Sequence, residues 1–320
     1  MVCVIGEALI DLVMDDPATK DGAAKDGDRS YTAHPGGSPF NVAIGLARLG
    51  QPAQLLGRLA VDAFGRQLRA HADANGVDLS IAVQAAEPST LAVVSLDSDR
   101  NATYDFYVRG TADWQWTAAE LDRSPAATSW VHTGSLASWT APGAAVVREH
   151  LSRRRSASRL VVSYDPNVRP ALLPDHADAV AQVEANIGLS DVVKASVEDL
   201  AFLYPDVAVE DVLARWQAAG PRLVVVTDGA NGARALTADG TVLRVGARTV
   251  QVVDTVGAGD AFMAGLVNAL IRVGFDAEPQ QELSDSVLTE VLDEAILVAA
   301  LTCSRAGANP PTAAELAAAR

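Results

Sequence analysis

The run Leu223-Val224-Val225-Val226 constrains the fold most: four apolar, mostly β-branched residues in succession, with no polar residue to face water. Such a strand has to be covered on both faces, as in a parallel sheet. Further strand-like runs stand at Val2-Cys3-Val4-Ile5, Gln54-Leu55-Leu56, Trp130-Val131-His132, Leu160 to Tyr164 and Val192-Val193. Helical patterns lie between them. Phe40 to Leu49 reads as a helix stopped by Gly50, Arg66 to Asn75 as one stopped by Gly76, and Ala261 to Val273 as one stopped by Gly274. The alternation predicts a layered α/β fold around a mostly parallel sheet.

One region breaks the rhythm. Leu91 to Leu96 and Thr103 to Val108 are strand-like runs around a turn at Asp97-Ser98-Asp99-Arg100-Asn101. Ile10 to Met14 and Arg29 to Thr32 are expected to pair with them. The result is a small β-sheet projecting as a lid over the carboxyl ends of the main strands, where such folds place ligands. Asp15 to Asp28, rich in Asp, Lys, Gly and Ala, is the one stretch that reads as disordered.

With 320 residues, 49% of them hydrophobic, the chain has material for a substantial core. Its net charge of −15 repels nucleic acid and anionic membranes, so neither is expected as a partner. Cys3 and Cys303 sit among apolar residues at opposite ends, with no Cys/His cluster, and read as buried reduced thiols of a cytoplasmic protein. No signal peptide or membrane-length apolar span is evident.

The chemistry concentrates in Asp254-Thr255-Val256-Gly257-Ala258-Gly259-Asp260. The β-branched run Val250 to Val253 is expected to lead in as a strand, and a helix leads out. Gly257 to Gly259 would then expose backbone amides at a helix N-terminus, where the dipole favours anions. Asp260 beside that anion hole would orient an alcohol and take its proton during phosphoryl transfer. Taken by themselves, the same residues would also serve as a Gly-rich turn with an Asp cap. Gly36-Gly37-Ser38-Pro39-Phe40-Asn41 is a second such segment: close approach at the glycines, and a donor and acceptor for a polyol at Asn41. GxxxxGK[ST] is absent, which excludes a P-loop enzyme. Gly6-Glu7-Ala8 stands where a GxGxxG would follow the first strand, which argues against a nicotinamide-dependent oxidoreductase.

Together these segments resemble the ribokinase-like (PfkB) carbohydrate kinase family. Gly36, Gly37 and Asn41 match its first signature, and Asp254 to Asp260 its DTxGAGD run. Gly57 to Gly65 is similar to its G-x-x-G-x-D-x-F-G segment, with Ala60 in place of a Gly. The resemblance implies a three-layer αβα core (1–11, 33–88 and 114–320) with a β-sheet lid (12–32 and 89–113). It implies Asp260 as base, the amides of Gly257, Ala258 and Gly259 around the phosphoryl group, and Asp11, Gly37 and Asn41 on sugar hydroxyls. Thr227, Gly229 and Gly232 would mark the nucleotide-binding strand end. Helix Glu294 to Ser304 and Gly307 would border the adenine. ATP and Mg2+ are implied, as is a homodimer through the lid. The family's Asn-x-x-Glu segment for water-mediated magnesium is altered here: Ser196 replaces Asn, and Asp199, or Glu198 in a register shifted by one, replaces Glu. A monovalent cation such as K+ is implied near Asp254 and the Cys303–Gly307 loop. A non-catalytic sugar or nucleotide sensor on the same fold has little need of an intact GAGD turn.

Gly6-Glu7-Ala8-Leu9-Ile10-Asp11 and Tyr107 to Asp113 resemble bacterial fructokinases. Asp165-Pro166-Asn167-Val168-Arg169 resembles a segment shared with 2-keto-3-deoxygluconate kinases. Arg109 and Arg169 are candidates to fork onto a sugar oxygen, a carboxylate or the γ-phosphate. Fructose is the first expectation and the keto-deoxy acid the second, ahead of ribose or a nucleoside. His132 is a candidate sugar neighbour. Trp114 and Trp116 are expected to pack, and Arg153 to Arg155 to form a solvated helix end.

Overall fold

The computed structural model describes residues 1–15, 30–96, 102–173, 175–237, 239–277 and 283–320. From the N-terminus, β1 (Val2–Ile5), β2 (Leu9–Met14) and β3 (Tyr31–Gly36) lead into α1 (Ser38–Arg48). Next come β4 (Ala53–Leu56), β5 (Arg58–Ala60), α2 (Ala63–Ala74), β6 (Val83–Ala85), β7 (Leu91–Leu96) and β8 (Ala102–Tyr107). After α3 (Ala118–Leu121) the chain alternates through β9 (Trp130–Gly134), α4 (Gly143–Ala157), β10 (Val161–Asp165), α5 (His176–Ile187) and β11 (Val192–Ser196). Then follow α6 (Val197–Leu203), α7 (Val209–Ala218), β12 (Leu223–Thr227), β13 (Ala233–Thr237), β14 (Val242–Val245), α8 (Ala258–Arg272), α9 (Asp285–Cys303) and α10 (Ala313–Ala319).

Eight strands form the main sheet in the order β14-β13-β12-β11-β10-β9-β1-β4. The six from β12 to β4 run parallel; β13 pairs antiparallel with β12, and β14 antiparallel with β13. Both faces are covered, as the unbroken apolar runs require. Val4, Val161, Val192, Leu223 and Val225 pack toward α1, α8 and α9. Their neighbours in sequence point the other way. Val193, Ala195, Val224 and Val226 meet α5, α6 and α7, and Cys3, Ile5, Val131 and Val162 meet α3 and α4. This is the three-layer αβα arrangement.

A separate four-stranded sheet has the order β3-β2-β7-β8, with β2 parallel to β7 and the other pairs antiparallel. The expected turn at 97–101 and residues 16–28 of the acidic stretch lie outside the described residues.

Two expectations are corrected. Val250 to Val253 form no strand. Val252 and Val253 are exposed, and the Val253 and Asp254 amides donate to the Cys303 carbonyl, so this segment follows the end of α9 rather than a sheet edge. The β13–β14 hairpin, which the sequence reading did not include, closes the sheet at the other side. α8 also starts at Ala258, three residues earlier than the apolar pattern indicates, because its first turn faces the site instead of the core. α8 crosses α1 and α9 closely. A Cβ on Gly45 would stand 2.6 Å from the Ala264 Cβ, and one on Gly265 would stand 3.0 Å from the Ala295 Cα. Those contacts fix where the α8 N-terminus points. Among the described residues no helix is long and apolar enough to cross a membrane.

Candidate active site

The carboxyl ends of β1, β9, β10, β11 and β12 share one edge of the sheet, the usual ligand edge of an open α/β fold. α8 begins there. Gly257 is its cap, in left-handed conformation (φ 73°, ψ 4°), and no side chain caps the helix. A Cβ on Gly257 would lie 2.5 Å from the Ala308 Cβ. The Ala258 amide donates to the Thr255 carbonyl at 3.2 Å, and the Ala261 amide to the Gly257 carbonyl at 2.8 Å. Among the described residues the amides of Gly257, Gly259 and Asp260 have no protein acceptor. They are the open donors of this turn, and the Ala258 amide is not one of them.

Asp260 sits in the first turn of α8, half-buried. Its Oδ2 accepts from the Asn41 side-chain amide at 2.8 Å, across 219 residues of chain. Burial pushes its carboxyl up, while Asn41, Lys194 and Arg169 oppose that shift.

Asn41 lies in the first turn of α1, whose cap, Gly37, has φ 103° and packs against the Glu7 carbonyl. Gly36 pairs with Leu9 across β2–β3, and a Cβ there would stand 2.2 Å from Asp11 Oδ2. The glycine therefore leaves room for the Asp11 carboxylate. Burial, with help from Asp260, pushes Asp11 up to about 6, and Arg169 opposes. Asp11, Asp260 and Arg169 thus share one electrostatic neighbourhood. Arg169 hydrogen-bonds to Asn167 Oδ1 at 2.8 Å and to the Val168 carbonyl at 3.0 Å, and its guanidinium is exposed. Arg109 is exposed too, and among the described residues nothing holds it.

Sequence reasoning gave no role to a buried ion pair at this edge. Lys194, on β11, donates to Asp165 Oδ2, at the end of β10, at 2.9 Å, and both are almost fully buried. Burial works against the Lys194 charge, but Asp165, Asp199 and Asp260 hold its pKa above the ordinary value. Its Nζ lies 3.0 Å from where a Gly259 Cβ would be, which puts a fixed positive charge beside the open turn. The available signal was a lysine inside an otherwise apolar strand, because charges are rarely buried without a purpose.

Ser196 and Asp199 form a reciprocal cap at the start of α6. Asp199 Oδ2 accepts from the Ser196 amide and hydroxyl, each at 2.8 Å, and Oδ1 accepts from the Val168 amide at 2.7 Å. Asp199 thus anchors the 165–169 loop, while Glu198 is exposed. Thr227 ends β12 with its hydroxyl 3.3 Å from the Ala195 carbonyl, and Gly229 and Gly232 shape the turn that follows. Asp254 joins its own bend to the far C-terminal loop, accepting from the Val256 amide at 3.0 Å and the Gly307 amide at 2.8 Å. No cluster of three metal-ligating side chains occurs among the described residues.

Other candidates fall away from this edge. His132 is fully buried against Ser163, and Trp114 and Trp116 are core side chains. Arg153 pairs with Asp122 and Arg155 with Asp191, so that helix end is held by ion pairs. Cys3 is buried, but Cys303 is only half-buried. Helix α9 supplies the Cys303 carbonyl to the Asp254 bend, while its Glu294 is buried against Arg272 and Arg320.

A ribokinase-like αβα body with an open glycine turn and an adjoining carboxylate at the strand ends defines the class, a small-molecule kinase fold. The profile of the pfkB family carbohydrate kinases matches residues 1–315, and the chain belongs to that family. It is 37% identical over 270 residues to a fructokinase of Rhizobium leguminosarum bv. trifolii, covering 84% of this chain and 79% of the relative. It is similar to the ATP-bound fructokinase of Xylella fastidiosa (TM-score 0.85, 28% identity, covering 100% of this chain and 97% of that one). It is also similar to a double mutant of the Vibrio cholerae O395 fructokinase bound to fructose, ADP and potassium (TM-score 0.83, 28% identity, covering 99% and 97%).

Proposed function

We propose that the chain is an ATP-dependent fructokinase that transfers the γ-phosphoryl group to a fructose hydroxyl with Asp260 as base. One observation carries this reading. Asp260 is held by Asn41 at 2.8 Å, beside open amides and within the field of Asp11, Arg169 and Lys194. Asp11, Gly37 and Asn41 bind sugar hydroxyls, and Asn41 also aims the Asp260 carboxylate. The hydroxyl proton passes to Asp260 as the sugar oxygen meets phosphorus in line. The open Gly257, Gly259 and Asp260 amides face the phosphoryl oxygens, and Lys194 adds a positive charge that needs no reorganisation. Arg169 orients a sugar or phosphate oxygen.

Thr227, Gly229, Gly232 and Gly307 line the nucleotide side. Magnesium supplies charge neutralisation on the ATP phosphates. Ser196 and Asp199 would be the residues facing the hydration shell of that ion. We assign potassium to the Asp254–Gly307 bend, where loop and carboxylate already converge. The four-stranded sheet serves as the cover, excluding water from the reaction. Exposed Val13, Tyr31 and Tyr107 on that sheet support a homodimer, which gel filtration checks. The demand for ATP supports a cytoplasmic setting.

The test is purified chain with ATP, magnesium and a sugar panel that includes fructose, 2-keto-3-deoxygluconate and ribose, followed by ADP release. Fructose is expected to give the highest kcat/KM. Absence of sugar-dependent ADP release across the panel would overturn the reading.

A further inference from the structure

The Gly57–Gly65 segment and the start of α2 take no part in the site above, yet they hold the small sheet where the chain enters β7, where it leaves β8 and along β3. Arg58, on β5, is 6% exposed. Its Nη1 donates to the Ala112 carbonyl at 3.2 Å and the Gln115 carbonyl at 2.8 Å, just beyond the exit from β8. Its Nη2 reaches Glu87 at 3.2 Å, just before the entry to β7, and Glu120 lies 3.5 Å away. Asp62 caps α2 through the Gly65 amide at 2.8 Å and also accepts from the Ser89 amide (2.8 Å) and hydroxyl (2.7 Å) at the same entry. Gln67, one turn on, donates to the Ala33 carbonyl of β3 at 3.0 Å.

The crossing strands are also tied to one another. Thr90 and Thr111 hydroxyls meet at 2.7 Å, and the Ala112 amide donates to the Pro88 carbonyl at 3.0 Å. Asp113, just after the exit, accepts from the Ala8 amide at 3.0 Å, at the crossing from β1 into β2. Asp11 stands three residues further along. A planar guanidinium that bridges two carbonyls and a carboxylate on separate segments fixes their relative angle more strictly than a single point charge.

We propose that Arg58, with Asp62 and Gln67, is a hinge clamp that sets the angle between the small sheet and the body. The clamp thereby fixes the position of Asp11 over the site. It rests on the reading of that sheet as the cover of the sugar site. Arg58 is a positioning residue, since it touches none of the reacting groups.

The clamp is tested with Arg58→Met, Arg58→Lys and the milder Ser89→Ala in the full-length chain, by steady-state kinetics and amide hydrogen exchange. Arg58→Met is expected to raise the fructose KM roughly tenfold or more while the ATP KM moves less than about twofold, and to increase sugar-independent ADP release. Exchange should quicken in 91–96 and 102–107 and stay unchanged in β9 to β12. Lysine should rescue part of the effect, because one ammonium cannot span both carbonyls and Glu87. Ser89→Ala should shift the same quantities in the same direction by less, and it decides the matter if Arg58→Met does not fold. Equal rises in both KM values, or exchange that is uniform or unaltered, would overturn the clamp. Were the wild-type chain inactive on fructose, the proposed function would fail, and the exchange pattern alone would still decide for or against the hinge.

Discussion

Two helices, α1 and α8, begin with uncapped glycine turns at the same edge of the sheet, and the two turns differ in what surrounds them. At α1 the glycines let protein pack on protein: Gly37 against the Glu7 carbonyl, Gly36 under the Asp11 carboxylate. At α8 the glycine cap bends the chain beside Ala308 and leaves three amides without a protein acceptor among the described residues. Neither helix is capped by a side chain; the α1 turn is packed under Glu7 and Asp11, whereas the α8 turn lies beside the Lys194 ammonium and carries Asp260. Damage to the first should therefore appear in stability and sugar affinity, and damage to the second in turnover.

The largest effect is expected from Asp260→Asn: kcat lower by roughly 10²–10⁴, with ATP binding and melting temperature nearly unchanged. Gly257→Ala places a Cβ against Ala308 and disturbs the open donors, so kcat should fall by roughly 10²–10³, the usual cost of losing one preorganised donor. Asp11→Asn should raise the fructose KM by roughly tenfold with little change for ATP. It should also erase an acid limb in fructose affinity. Because Asp11 is pushed up to about 6, its acceptor form is lost in the wild type as pH falls through that value. Gly37→Ala, at φ 103°, should lower stability by about 1–3 kcal/mol in denaturant melts and change kcat least of these variants. A kcat loss at Gly37 equal to that at Gly257 would erase the distinction between the turns.

The smallest effect concerns Glu7, whose carbonyl packs on Gly37. Its carboxyl is fully buried and accepts from the Ala137 amide at 3.1 Å, and burial pushes it up to about 7. The folded chain therefore binds this proton more tightly than the unfolded one. The stability contribution falls as pH rises from the ordinary carboxylate range through about 7. The melting temperature of Glu7→Gln relative to wild type should accordingly climb between pH 5 and pH 8, which lie about two units below and one unit above that value. A pH-independent difference would contradict the assignment.

Much of this was legible in the sequence, for physical reasons. Unbroken apolar runs mark strands covered twice, and Leu223 to Val226 does lie between two helical layers. Glycine spacing marked both turns, and the resemblance placed Asn41 and Asp260 at one site. Other features depend on contacts that local pattern does not carry. Val250 to Val253 has strand propensity but no strand partner, so propensity lost to tertiary context. The β13–β14 hairpin has a local signal, Asp239-Gly240 between two strand-like runs, but nothing in it says which sheet edge the hairpin joins. Lys194 and Asp165 lie on different strands, and only the sheet order makes them a pair. The open donors depend on which amides the turn itself consumes, and that is set by backbone geometry.

The most direct test of the central claim is a crystal structure of the chain with fructose and a non-hydrolysable ATP analogue. One fructose hydroxyl is expected within hydrogen-bond reach of the Asp260 carboxylate, at about 2.6–3.2 Å, and in line with a γ-phosphate seated on the Gly257, Gly259 and Asp260 amides. A γ-phosphate bound elsewhere, or an Asp260 carboxylate with no hydroxyl in reach, would contradict that claim.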